Sequence, residues 1–552
     1  TFAAVDGKTG DELWYFDFGA EESPMDFYTP QFIPDLDRDG IPDMIQMYGA
    51  KTASSSTPAQ LKLFSGRSGK ELYSQVVPDR SVGQASPIMV TLGDRIPAII
   101  FGTGSDSQSG TMFVVRLDDF IEGSLAHKAR SILSGREGKG IVNSPVMADL
   151  TGDRFPDLVS CPYNDGCVAL DPRNNFKPLW TFSANSSVTQ SLPAFGKFTE
   201  DAIPDIFVQL SYASNSGSTL FTQASILDGR TGVEVKEVHL SQGGVVSSPL
   251  VMSMQGMGND IFLFWGQSCQ GQTKVDKSFV TTNRFLSQKK ENSLFQYDER
   301  DACLQKYGTN STLQLLAFSR SFGLKEVFST QSHDKDEFST LATSSQRLDN
   351  FLQGHPISRN PDGIPSRQTF SGNRGYSVND LSLRSKRNVM RTPKEKTKHA
   401  LSTGTLAPPL PVGGLETSLA DSMDVVFATF WTESKEADRK KSTEEQECVD
   451  KWLDNEAALR QRPGSQYYRM DSEKYLSIIS QKCALLYHGS EDLDINTVPN
   501  GQLTIYRKRI TCKCAQADKS KCGRPLTFAQ QSWSQFLGLN STGYWEEFRT
   551  SP

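Results

Sequence analysis

Nine residues, Asp35-Leu36-Asp37-Arg38-Asp39-Gly40-Ile41-Pro42-Asp43, constrain the fold more tightly than any other stretch of the chain. Carboxylates at positions 1, 3, 5 and 9 of a short loop suit a hard cation that prefers oxygen, and the backbone carbonyl of Ile41 falls at position 7. Gly40 permits the positive φ of a sharp turn. A helix–loop–helix calcium site would need a helix on each side and a Glu at position 12. Strand-like runs flank this loop instead, Gln31-Phe32-Ile33 before it and Met44-Ile45-Gln46-Met47 after it. The pattern predicts a cation loop between two β-strands.

The pattern also recurs. Asp149-Leu150-Thr151-Gly152-Asp153-Arg154-Phe155-Pro156-Asp157 repeats the frame, and decayed copies run from Ser86-Pro87, Leu192-Pro193, Ser248-Pro249 and Ala407-Pro408. At position 9 the first four copies fall on Asp43, Ala98, Asp157 and Asp205, at intervals of 55, 59 and 48 residues. That is the size of a four-stranded blade. A second element alternates with the loops, a strand–turn–strand unit such as Ala4-Val5-Asp6-Gly7-Lys8-Thr9-Gly10-Asp11-Glu12-Leu13-Trp14. Ser65-Gly66-Arg67-Ser68-Gly69 and Asp228-Gly229-Arg230-Thr231-Gly232 are further copies, and such turns between apolar runs are hairpin signals. The fold class is therefore all-β, a β-propeller of about seven blades with calcium loops, six and eight blades remaining open. A small helical, disulfide-bearing insertion and C-terminal appendage complete it.

The boundaries follow from where the repeat breaks. Residues 1–330 hold propeller blades, the first incomplete at its N-terminal side; 331–402 read as a flexible basic insertion; 403–435 resume the blades. Residues 436–500 carry helical periodicity, with Cys448, Trp452 and Leu453, then Tyr475, Leu476, Ile479 and Cys483 on one face. Residues 501–552 supply the last strands and an extension in which Phe528, Trp533, Phe536 and Leu537 suggest another helix. The formal charge of −6 offers no basic field for nucleic acid. No apolar run is long enough to span a bilayer.

Nine cysteines without metal-type spacing argue for an oxidising compartment. Cys161 and Cys167 bracket a turn short enough for a local disulfide; Cys269 and Cys303 flank an insertion; Cys448 and Cys483 lie in neighbouring helix-like segments. Cys512, Cys514 and Cys522 crowd the C-terminal part, and the odd total leaves one thiol free or paired outside the chain. Asn185, Asn310 and Asn540 head glycosylation sequons. Arg384-Ser385-Lys386-Arg387 before Asn388 fits either a secretory-pathway protease site or a solvated basic linker, since residues 384–398 hold seven Lys or Arg against one Glu.

Together the loops resemble FG-GAP repeats, the blades of integrin α-chains, and the Asp-Gly-x-Thr-Gly hairpins look like those of quinoprotein-type propellers. The combination resembles the extracellular region of single-pass FG-GAP-repeat membrane proteins, over roughly residues 1–330 and 403–432. That resemblance implies a membrane anchor upstream of Thr1. It also implies that Ca²⁺ at the loops is a structural staple on one rim rather than a ligand trap. The first loop holds the full set (Asp35, Asp37, Asp39, Ile41, Asp43); the second, with Asp149, Thr151, Asp153 and Asp157, has fewer charges and a weaker expected affinity. In the copy at 197–205, Lys197 is expected to stand in for the cation beside Asp201 and Asp205. Six scattered His, no adjacent Cys pair and no Gly-x-Ser-x-Gly elbow give no catalytic signature, and His239 reads as a packed strand residue. The expected function is a non-catalytic extracellular or cell-surface module for protein interaction, assembly or adhesion, with protein partners. A secreted or surface hydrolase or lyase on a propeller is the alternative.

Overall fold

The computed structural model describes residues 2–269, with short gaps, together with 311–330, 396–400, 404–409, 422–433, 448, 450–453, 501–511 and 523–545 with one gap. The chain divides into two compact units. The larger comprises Thr1–His355, Lys398–Phe430 and Leu503–Pro552; the smaller comprises Pro356–Thr397 and Trp431–Gln502. In the smaller unit, residues 448 and 450–453 are helical, and the rest of the expected helical insertion lies outside the described residues.

The larger unit is a succession of antiparallel sheets. Sheet I contains Met25–Phe27 and Gln31–Ile33, both paired with Asp43–Ala50, followed by Gln60–Phe64 and Glu71–Val76. Sheet II contains Ile88–Thr91, Pro97–Gly102, Thr111–Arg116 and Arg130–Ser134. Sheet III contains Val146–Ala148, Asp157–Ser160, Asn164–Asp171 and Lys177–Val188. Sheet IV contains Ala194–Gly196, Asp205–Ala213, Thr219–Leu227 and Glu234–Ser241, and joins sheet III at Ser187↔Tyr212 and Val188↔Ser211. Sheet V contains Leu250–Met252, Ile261–Cys269, Ser311–Ser319 and Gly323–Ser329. Sheet VI contains Thr405–Ala407, Ser422–Glu433 and Gly501–Thr511. A further hairpin, Phe2–Val5 with Glu12–Phe16, precedes them.

Burial falls from the first strand outward. Val146–Ala148, Ala194–Gly196 and Leu250–Met252 are buried throughout, whereas the fourth strands Glu71–Val76 and Glu234–Ser241 are largely exposed. Second strands such as Ile261–Cys269 are apolar on both faces because a sheet lies against each. One hydrophobic cluster joins sheets I and II, one II and III, one III through V, and one V and VI. Phe207 stacks on Phe262 at 5.5 Å between centroids, and Trp265 meets Phe427 edge-on at 5.2 Å.

Two indoles latch the last strand of one sheet or hairpin to the outer hairpin of the next sheet. Trp14 Nε1 donates to the Gly66 carbonyl at 3.0 Å, and Trp180 Nε1 to that of Gly229 at 2.9 Å. Each ring covers a glycine of the same turn, Gly69 or Gly232, where a Cβ would stand 2.4 Å from the indole.

The C-terminal segment departs from the expected helix. Phe528–Gln530 form a single 3-10 turn, and Leu537, Gly538, Ser541 and Gly543 take positive φ, which a helix forbids. Arg524–Pro525 pair with Met254–Gln255. The segment then touches the first strands of sheets I to VI. Val251 and Leu406 donate backbone N–H to the Trp533 and Ser534 carbonyls, Met147 exchanges bonds with Gly543 and Trp545, and Gln31 Nε2 donates to the Ser541 carbonyl. Trp533 meets Phe195 edge-on, and Tyr544 packs in the cluster of Ile88. A strip of chain that reaches six first strands must run at their common centre. Trp533, Leu537 and Trp545 are buried there.

Candidate metal centre

Short aspartates in a turn first satisfy their own backbone, and both complete loops do so. In the first, Gly40 and Asp39 donate N–H to the two oxygens of Asp35, Asp39 also to Asp37, and Ile41 to Asp39. The Gly40 amide leads in holding the Asp35 carboxyl below the ordinary range, against the opposing effect of burial. In the second, Gly152, Asp153 and Arg154 all donate to Asp149. Positions 4 and 6 are left-handed in both loops: Arg38 at φ 62° and Gly40 at 88°, Gly152 at 79° and Arg154 at 69°. The backbone path is shared although the glycine has moved from position 6 to position 4.

Asp35, Asp37 and Asp39 offer carboxylate oxygens all within 4.8 Å of one another, the single such group of three among the described residues. Oxygens sharing one Ca²⁺ at 2.3–2.6 Å can be no more than about 5 Å apart, so this donor set fits a hard divalent cation. Asp43 stands outside the group. Its oxygens accept the N–H of Leu36 at 2.7 Å and of Gly66 at 3.2 Å. Asp43 thus caps backbone amides beside the triad, because a carboxylate at the buried start of a strand faces amides that need acceptors.

The same staple recurs. Asp157 accepts from Leu150 and Thr151, Asp205 from Phe198 and Thr199, and Asp260 from Met254 and Lys197, each buried at a second-strand start. Burial pushes the Asp157 carboxyl up to about 6 and raises that of Asp205. Asp424, in sheet VI, answers burial differently: guanidiniums of Arg507 and Arg509 at 2.6 and 2.9 Å overcome desolvation and hold it low.

An arginine of the outer hairpin turn reaches position 5 in three loops, which the sequence reading missed. Arg67 lies 3.5 Å from Asp39 and donates to its carbonyl; Arg173 lies 3.0 Å from Asp153; Arg230 lies 3.6 Å from Asp201. Its signal was the arginine after the turn residue, in Gly66-Arg67, Pro172-Arg173 and Gly229-Arg230. In the second loop Thr151 replaces a carboxylate and the donors do not gather into such a group among the described residues. Arg230 thus brings a cation to the third loop, beside Asp201.

The expected Cys161–Cys167 disulfide is present, and Cys269 and Cys448 are also disulfide-bonded. Cys303, Cys483, Cys512, Cys514, Cys522, Asn310, Asn540 and the Arg384, Lys386, Arg387, Asn388 segment lie outside the described residues. Asn185 falls in the strand Lys177–Val188. His239 packs 6.1 Å from the Phe264 ring.

A family model described as the FAM234A/B beta-propeller matches residues 147–296. No curated protein matches the chain. Among solved structures, the Dos1 propeller is similar at 13% identity and a TM-score of 0.29, over 48% of this chain and 59% of that one. An α-L-arabinofuranosidase of Fusarium graminearum scores 0.26 at 9% identity, over 53% and 87%. An exo-β-1,3-galactanase of Phanerochaete chrysosporium scores 0.25 at 10% identity, over 48% and 59%. The chain thus spans about three fifths of the first and third, and at these scores none of the three carries an argument. Repeated four-stranded antiparallel sheets, and a family match that is itself to a propeller, make the chain a β-propeller protein.

Proposed function

We propose that the chain is an FG-GAP-type propeller of about seven blades that works outside the cell or at its surface as a non-catalytic interaction, assembly or adhesion module. The observation that carries this reading is the filled centre. A propeller hydrolase or lyase would need an open funnel lined with acids, whereas Trp533, Leu537 and Trp545 occupy the hub. What remains for a partner is the rim and the outer hairpins. The disulfides support a secretory-pathway location. No helix among the described residues is long and apolar enough to cross a membrane, so any anchor belongs to other segments.

In this reading the Asp35, Asp37 and Asp39 triad binds Ca²⁺ and tightens the loop against the Ser65–Gly69 turn. The second loop binds it more weakly, because Thr151 replaces a carboxylate and Arg173 holds Asp153 at 3.0 Å. Ca²⁺ at a hundredfold excess over its Kd should stabilise the fold by about 2.7 kcal/mol. Asp37→Asn should abolish that gain in thermal melts and remove the tighter calorimetric site, while Asp149→Asn should leave the tighter site intact. Equal melts in Ca²⁺ and chelator for the unaltered protein would remove the metal from the account. The module itself is tested by affinity purification from native tissue with Ca²⁺ and with chelator. A stoichiometric protein partner that weakens under chelation is expected; recovery of the chain alone in both conditions would overturn the assembly role.

A further inference from the structure

Between sheets II and III the surface opens into a cleft of about 570 Å³, lined by no residue of the acidic triad. Its lining is unusual for an acidic protein: Arg116, Lys128, Arg130 and Arg173 contribute four cations against the single carboxylate of Asp119. These residues come from four places, the end of the strand Thr111–Arg116, the end of the short helix Leu125–Lys128, the start of Arg130–Ser134 and the turn Pro172–Asn174. Convergence from separate elements is what a binding site requires, whereas a solvated run of charge is contiguous in sequence.

Two of the guanidiniums are held in place. Arg130 donates to Asn175 Oδ1 and lies over the Phe176 ring, its carbon 5.2 Å from the centroid. Arg173 lies 4.2 Å over the Phe155 ring while its ion pair with Asp153 uses one edge. A guanidinium carries five donors in a rigid fork, so each retains N–H groups for a tetrahedral oxyanion. The Arg130 bond is to a neutral amide, which leaves its charge uncancelled. Val114, Val115, Leu92 and Pro172 add apolar surface to the same cleft, so its occupant needs a carbon body as well as an anion.

We propose that this cleft binds a small organic ester of phosphate or sulfate, the anion held by Lys128, Arg130, Arg116 and Arg173 and the apolar body lying on Val114, Val115 and Pro172. This goes beyond the interaction-module reading and does not depend on it. The probes are phenyl phosphate and phenyl sulfate, with phenol and inorganic phosphate as controls, titrated calorimetrically against the intact protein in chelator. Saturable binding of at least one ester is expected, weakening several-fold from 20 to about 150 mM salt as the Debye length shrinks. Preference for one ester then identifies whether phosphate or sulfate is the natural group. Inorganic phosphate and phenol should each bind at least about tenfold more weakly, since each offers half of the required chemistry. Lys128→Glu, alone and with Arg130→Glu, should weaken ester binding by about tenfold or more, with the circular dichroism melt of the single Lys128→Glu variant unchanged because that side chain is exposed. Lys325→Glu, the same charge change on sheet V, should leave binding intact. The proposal falls if neither ester saturates, if inorganic phosphate binds as well as the esters, or if Lys325→Glu weakens binding as much as Lys128→Glu.

Discussion

An indole lying flat on a glycine leaves no room for a methyl group. At Gly69 and Gly232 the φ angles of 67° and 70° add backbone strain to the steric conflict with Trp14 and Trp180. Gly232→Ala should therefore cost about 2–4 kcal/mol, overpacking and left-handed strain together, read as a loss in denaturant midpoint. Gly10→Ala, also left-handed at 77° but with nothing within 4 Å, should cost only the strain. His239 makes a different residue-scale prediction. Among the described residues its Nε2 is buried without a hydrogen-bond partner, and burial lowers its pKa. The unfolded chain then takes up a proton near pH 6.5 that the folded chain refuses. Stability is accordingly full above 6.5 and is lost as pH falls, until the folded pKa is reached, with a slope of at most about 1.4 kcal/mol per pH unit. His239→Phe should remove that slope, measured by urea unfolding between pH 7.5 and 5.

At the scale of elements, one carboxylate at the start of each of several second strands gathers the amides of the preceding loop. Asp205→Ala would strand the Phe198 and Thr199 N–H groups in a buried site and should cost about 2–4 kcal/mol. Asp205→Asn keeps an acceptor and should fall within about 1 kcal/mol, since burial already disfavours the charge. Equal losses from the two, in thermal or urea melts, would show that charge rather than hydrogen bonding matters there. This element was legible in the sequence as a period, because Asp43, Asp157 and Asp205 recur at fixed places in the repeat. Its chemistry was not: a ligand and a staple use the same aspartate, and what separates them is whether amides or other carboxylates face it. The C-terminal segment was misread for a related reason. Phe528, Trp533, Phe536 and Leu537 fit a helical stripe, but an element buried at a hub has no solvent face to set a period. Gly538 and Gly543, both left-handed, were the contrary signal.

For the whole molecule, the hub couples sheets that are far apart in sequence. Trp533 bonds to Val251 and packs on Phe195, its neighbour Ser534 bonds to Leu406, and Gly543 and Trp545 bond to Met147. Trp533→Ala should cost about 3–5 kcal/mol. Its distinguishing consequence is that amide exchange should rise together in the strands holding Phe195, Val251 and Leu406, with the outer strand Glu71–Val76 unaffected. Exchange confined to the last thirty residues would mean that the segment is a passenger. The hub also dictates an order of events. Residues 524–545 follow every sheet they join, so a ribosome must finish all six before the piece that fastens them emerges. Until then the first strands holding Met147, Val251 and Leu406 expose amides whose partners are not yet made, a form prone to pairing with the wrong chain. Such a protein should depend on chaperones until residues 524–545 emerge, and lesions in that segment should be seen as failures of folding rather than of contact.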